Sequence, residues 1–189
     1  MDTLLSILIG LGLSAACGFR VFVPLLVMSL ASRASVGHLD LGSGFAWIGS
    51  TPALIAFSVA TGLEIAGYYI PWVDNLLDAV ATPAAIVAGI VVTASAAGDM
   101  SPFLRWSLAI LAGGGTAAIF QGITATARQI SSFTTGGLGN PVVATVEAGG
   151  SAILSVLSIT LPVVAVLIVF GLLFFGVRRL LFRRPVRTA

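Results

Sequence analysis

The side chains able to do chemistry in this chain are the few charges that fall inside long apolar runs. Arg20 lies in the run from Leu4 to Ala31, Glu64 in the run from Pro52 to Ile70, and Glu147 early in the run from Val142 to Val177. In hydrocarbon an unpaired charge of this kind costs at least about 2.5–3.5 kcal/mol, so each must find a partner or a task. The first two runs are neighbours in sequence and antiparallel. An Arg20–Glu64 ion pair facing the bundle interior is therefore expected, either handling a ligand or simply fixing helix register. Glu147 then needs a cation of its own, and Arg128 is the nearest in sequence. If Arg128 instead faces the interface, Glu147 is a buried acid able to load and release a proton, a route to proton coupling. The plainer alternative puts Glu147 in water at the mouth of a re-entrant segment.

Two further clusters are candidates. In Thr134-Thr135-Gly136-Gly137-Leu138-Gly139-Asn140-Pro141, Gly137 and Gly139 permit backbone conformations closed to other residues, and Asn140-Pro141 starts a helix whose first N–H groups point back at the loop. Irregular backbone at membrane depth survives only where protein buries it or water reaches it. The segment is thus a cavity wall or an extramembrane turn, and Glu147 just downstream favours the wall. Asp74 and Asp78, four residues apart, share one helical face and can hold a cation at a pore mouth or form a solvated interfacial turn.

Enzyme and metal chemistry find little support. His38 is the only histidine and Cys17 the only cysteine, so neither a His/Cys metal site nor an intrachain disulfide can be assembled. No phosphate loop or zinc-protease helix occurs. The expectation is no enzyme, no cofactor and no metal.

The elements that must position these residues follow from composition. Of 189 residues, 58% are hydrophobic and 8% charged, against about 25% charged in a soluble domain. The bilayer is the natural solvent, and the predicted fold is an all-α polytopic transmembrane bundle of five or six spans with a broken or re-entrant segment around residues 134–150. Residues 1–177 make one membrane domain and 178–189 a basic tail. Thr51-Pro52, Thr82-Pro83, Ser101-Pro102 and Asn140-Pro141 each pair a capping residue with proline, marking four helix starts. Pro24 predicts a kink near Arg20. Gly10, Ser14 and Gly18, then Ala85, Gly89, Thr93 and Ala97, then Gly114, Ala118, Gly122 and Thr126 form small-residue stripes suited to close helix contact. Tyr68, Tyr69 and Trp72 suit an interfacial belt. All nine basic residues are arginine, and five lie at or beyond Arg178. A five-span arrangement puts that tail, Arg33 and Arg105 in the cytoplasm, and Asp74, Asp78, Arg128 and the glycine-rich segment near the outer face. The rest of the chain offers no basic surface for nucleic acid.

The combination GFRVFVPLL, YYIPWVDNLLD, ATPAAIVAG, GDMSP and TTGGLGNPVVATVE, spread from about Leu4 to Phe175, resembles the bacterial membrane-protein family called domain of unknown function 4126. The resemblance implies a small polytopic membrane protein and brings no substrate or reaction. Its motifs include Arg20, Glu64, Asp74, Asp78, Asn140 and Glu147. The functional expectation is a transporter or channel-like translocator of an ion or small polar solute in the bacterial inner membrane, proton-coupled if Glu147 is free to titrate. The C-terminus would be cytoplasmic, and the protein homo-oligomeric. The alternative is a non-transporting scaffold or lipid-interacting protein whose charges serve packing.

Overall fold

The computed structural model describes residues 3–181; within this range the side chains of residues 43, 71, 72, 74, 75, 78, 176, 177 and 179–181 lie outside the description. The described residues are almost wholly helical, with no strand. In chain order they form α1 (Thr3–Phe19), α2 (Phe22–Ala34), a 3-10 turn (Ser43–Gly49), α3 (Thr51–Gly67) and α4 (Pro71–Ala96). Then come α5 (Pro102–Leu108), a π-helical segment (Ala109–Gly114), α6 (Gly115–Thr135), α7 (Asn140–Thr160) and α8 (Pro162–Leu181). Helix α5, the π segment and α6 are continuous, a single rod from Pro102 to Thr135. Among the described residues, three helical stretches are long and apolar enough to cross a membrane: Ala79–Ala96, Pro102–Thr135 and Asn140–Thr160. The other apolar helices are shorter.

The first apolar run is not one kinked helix. It stops at Arg20 and doubles back. Pro24 has no N–H to give the Arg20 carbonyl, and it falls in the first turn of α2, where N–H groups are orphans anyway. Two contacts fix the reversal. Gly12 on α1 packs beside Ser158 of α7. Further along the chain, Gly37 abuts Ile159 and the His38 N–H donates to the Ile159 carbonyl at 3.0 Å. So α2 returns to the level α1 left, and the pair is a helical hairpin with its tip at Arg20 and Val21.

Helix α1 is the hub. Its stripe meets that of α4: the Ser14 hydroxyl donates to the Gly89 carbonyl at 2.9 Å and lies 2.7 Å from the Thr93 hydroxyl, and Thr93 donates to the Gly10 carbonyl at 3.2 Å. On the other side Ser151 of α7 donates to the Ala16 carbonyl at 2.9 Å. Small residues bring these backbones close enough for hydroxyls to reach carbonyls, which is how polar groups bind helices in an apolar solvent. The third stripe sits one residue away from the expected one. Gly113, Ala117, Gln121, Thr124 and Arg128 are the buried face, whereas Gly122 and Thr126 are exposed.

Three sequence expectations are corrected. The segment 134–150 holds no re-entrant break: α6 ends at Thr135, Gly136 and Gly137 take positive φ of 63° and 90° as a left-handed helix cap, and α7 is unbroken from Asn140. Thr82-Pro83 is not a helix start. Pro83 lies inside α4, which begins at Pro71, itself already preorganised for a first helical position. The three other cap-proline pairs do begin helices, at Thr51, Pro102 and Asn140. Finally, Arg33 and Arg105 share one end of the bundle. There Arg33 bonds Thr51 at 3.1 Å, and Gly42, at the same end, lies against Gly98 near the Arg105 guanidinium. Helix α8 runs parallel to α1, from Ala165 beside Gly12 to Ile168 and Leu172, which line one hollow with Phe19, and so carries Arg178 to the opposite end, with Asp74, Asp78 and the glycine-rich turn. The reason is the break at Leu161: the last apolar run is two helices, and α8 returns to the end where α7 began.

Candidate functional site

The hairpin tip is where the charges gather. A helix beginning at Phe22 exposes N–H groups that have no carbonyl a turn back. Glu64, near the C-terminal end of α3, answers two of them: its carboxylate accepts from the Val21 N–H at 2.8 Å and the Phe22 N–H at 3.0 Å. A carboxylate also suits the positive end of the helix dipole. The expected Arg20–Glu64 ion pair is therefore corrected. Glu64 caps the hairpin, and Arg20 points to α7, donating to the Ala144 carbonyl at 2.9 Å and meeting Glu147 at 3.2 Å.

Glu147 is shared. Its second oxygen lies 3.4 Å from Nε of Arg128, which projects from the buried face of α6. Arg128 is thus the partner that sequence proximity suggested, with Arg20 added. Both guanidiniums lie against the Tyr68 ring, their central carbons 3.9 Å and 4.4 Å from its centroid, within cation–π range. Arg20 is 1% exposed, Arg128 2%, Glu147 4% and Glu64 8%. With exposures that low, solvent screening does little here.

The depth of the centre follows from helix register. Glu147 lies seven residues from the start of α7 and Arg128 seven from the end of α6, about 10 Å of helix in each. The centre is inside the bundle but nearer the α8-terminal end. Gln121 and Thr124 continue it along α6, with the Thr124 hydroxyl donating to the Gly18 carbonyl at 3.3 Å.

Of the residues singled out from sequence, Arg20, Glu64 and Glu147 come together. Asn140 lies two turns before Glu147, its amide donating to Ser132 on α6 at 2.9 Å. Gly137 and Gly139 do not line the centre. They belong to the tight α6–α7 turn, where open space surrounds Gly137 and Gly139 abuts Ser131 and Thr135. The cavity-wall expectation for this segment gives way to a plain turn. Asp74 and Asp78 fall in the first two turns of α4, and their side chains lie outside the described residues. Cys17 is buried and makes no disulfide.

Tyr68 was assigned to an interfacial belt, yet it is 4% exposed and belongs to the centre. A signal was present: Tyr68 follows Glu64 by four residues, one helical turn, on the same face. The serines Ser151, Ser155 and Ser158 were also passed over, though with Glu147 and Leu154 they mark the buried face of α7 at helical spacing. No group of three or more metal-ligating side chains occurs among the described residues.

The architecture defines a class: a bundle of membrane-like apolar helices folded around a broken hairpin and a buried polar centre. The chain belongs to the family described as Domain of unknown function (DUF4126), whose model matches residues 7–181. No curated protein and no solved structure matches it.

Proposed function

We propose that this chain is a polytopic protein of the bacterial inner membrane that translocates an ion or small polar solute past the centre formed by Arg20, Glu64, Arg128 and Glu147. The observation carrying this is the convergence of four ionisable side chains, none more than 8% exposed, on the tip of an interrupted helix. Such interruptions near ion and substrate sites are a recurring device of membrane transporters. Glu147, held by two arginines rather than one, can pass between them, and an incoming anion can take its place on either.

In this proposal α3, α4, the α5–α6 rod, α7 and α8 make five crossings. Helices α1 and α2, 17 and 13 residues long, turn back on each other at Arg20 and dip in as a hairpin from one face. The arginine-rich C-terminal segment places the α8-terminal end in the cytoplasm. The hairpin then enters from the outer face. The apolar outer faces of α3 and α8 serve lipid or a second copy of the chain.

Reconstitution into liposomes with measurement of proton, potassium and chloride flux tests the reading. Wild type should give flux that a Glu64→Gln, Glu147→Gln double variant lacks. Equal flux from both removes the machinery. A second reading has its own support: Arg20 and Arg128 both meet Glu147 and both lie against the Tyr68 ring, as in a static packing lock. Under that reading neutralising Glu147 changes stability and no flux.

A further inference from the structure

Glu64 faces two ways. On one side it caps α2; on the other it opens into a hollow of about 240 Å³ between α2, α3 and α4, walled by Phe22, Leu63, Tyr68, Val80 and Ala84. A second hollow of about 460 Å³ shares Phe22, Val80 and Ala84 with the first and continues along the groove past Phe57, Val87 and Val91. Apart from Glu64, the lining of both is almost entirely apolar, and Leu63, Val80 and Val87 are more than half exposed, so the groove opens sideways at the bundle's surface. Its size is that of a small-molecule site, and one carboxylate at the end of an apolar cleft is a specific chemistry.

Arg20 and Arg128 act on the Glu64 charge only from beyond contact distance. Glu64 accepts two backbone N–H bonds, which use two of its four lone-pair positions. No arginine lies within ion-pair distance of it among the described residues. Arg20 and Arg128 meet Glu147 on α7, and Tyr68, which lines the groove, covers both guanidiniums. The helix dipole offsets about half a charge. What remains favours a cation, and the walls favour an apolar body attached to it.

We propose that Glu64 and this groove bind a lipophilic monovalent cation, an onium or ammonium centre carried on a bulky apolar body that enters sideways between α2, α3 and α4. The cationic centre sits against the lone pairs of Glu64 that the two N–H bonds leave open. The body fills the cleft between Phe22, Phe57 and Val80. This goes beyond the translocation reading and stands without it, because it concerns binding alone.

The test uses the purified full chain in detergent with tetraphenylphosphonium as probe and tetraphenylborate, an anion of the same shape, as control. Saturable binding of the cation and none of the borate is expected. Glu64→Gln should weaken binding by about tenfold or more, the scale of losing a desolvated charge partner. Because Glu64→Gln also disturbs the α2 cap, Val80→Trp provides a second arm: it fills the groove without touching the carboxylate and should abolish binding while the protein elutes as wild type. Equal binding of both probes, no binding of the cation by wild type, or undiminished binding by Val80→Trp overturns the proposal. Flux is not read in this experiment, so the translocation reading fails or survives separately.

Discussion

Glu147 meets both arginines of the centre, so its removal takes a carboxylate from two buried guanidiniums. Glu147→Ala should lower stability by about 3–5 kcal/mol, the scale for removing one partner of a buried ion cluster, read as a fall in the thermal unfolding midpoint in detergent. Replacing the cluster together separates role from packing. Arg20→Met, Arg128→Met, Glu147→Leu removes the charges with their desolvation, and apolar substitutes for buried ion groups are commonly neutral or stabilising by about 1–4 kcal/mol. The triple variant should fold as well as wild type and carry no flux; a folded triple variant with wild-type flux would sink the proposed machinery. The burial cost of a charge identified Arg20, Glu64 and Glu147 from the sequence, because that cost depends only on residue type and apolar surroundings. Their pairing was not legible. It turned on Arg20 sitting at a helix end, where the Val21 and Phe22 N–H groups compete for Glu64.

At the scale of elements, close packing of α1 against α4 and α6 holds the hairpin tip in place. A Cβ on Gly18 would meet the Ala117 carbonyl at 2.8 Å and the Gln121 nitrogen at 2.9 Å, both backbone atoms of α6 that cannot swing aside. Gly18→Ala should therefore push the two helices apart and destabilise by about 1–3 kcal/mol, as overpacking does. Gly122→Ala is the matched control. Nothing lies within 4 Å of a Cβ there, and the gain in helix propensity should stabilise by up to about 1 kcal/mol. Chemical denaturation of the two variants side by side, with wild type, gives the contrast, and a Gly18→Ala variant as stable as wild type would contradict the packing described. The stripes on α1 and α4 were readable because single small residues recur at one helical spacing. On α6 the run Gly113-Gly114-Gly115 offers three registers, and only contact with Gly89 and Thr93 selects Gly113. Thr82-Pro83 misled for a related reason: a proline dipeptide states a local preference, and tertiary packing carried α4 through it.

At the scale of the whole molecule, two breaks in apolar runs set which ends lie together, one at Arg20 and one at Leu161. An apolar run from Leu4 to Ala31 is long enough for one crossing, so sequence length alone counts it as one. Folded as a hairpin it crosses no net distance, and every later helix changes sides relative to α1. The break between α7 and α8 in turn puts Arg33 and Arg105 at the end opposite Arg178, and in the proposed function the arginine-rich C-terminal segment sets the orientation. This is testable by cysteine accessibility in intact cells, since Cys17 is buried and can be replaced by serine in the background. Gly44 sits in the 3-10 turn with open space around it, and Leu138, 86% exposed, lies in the α6–α7 turn at the other end. With the C-terminal arginines inside, Gly44→Cys should react with a membrane-impermeant maleimide added outside, and Leu138→Cys only after the cells are opened. The inverse pattern, with Leu138→Cys reacting from outside and Gly44→Cys only in opened cells, would overturn the proposed orientation, and labelling of both from one side would contradict the three crossings by α3, α4 and the α5–α6 rod that separate them.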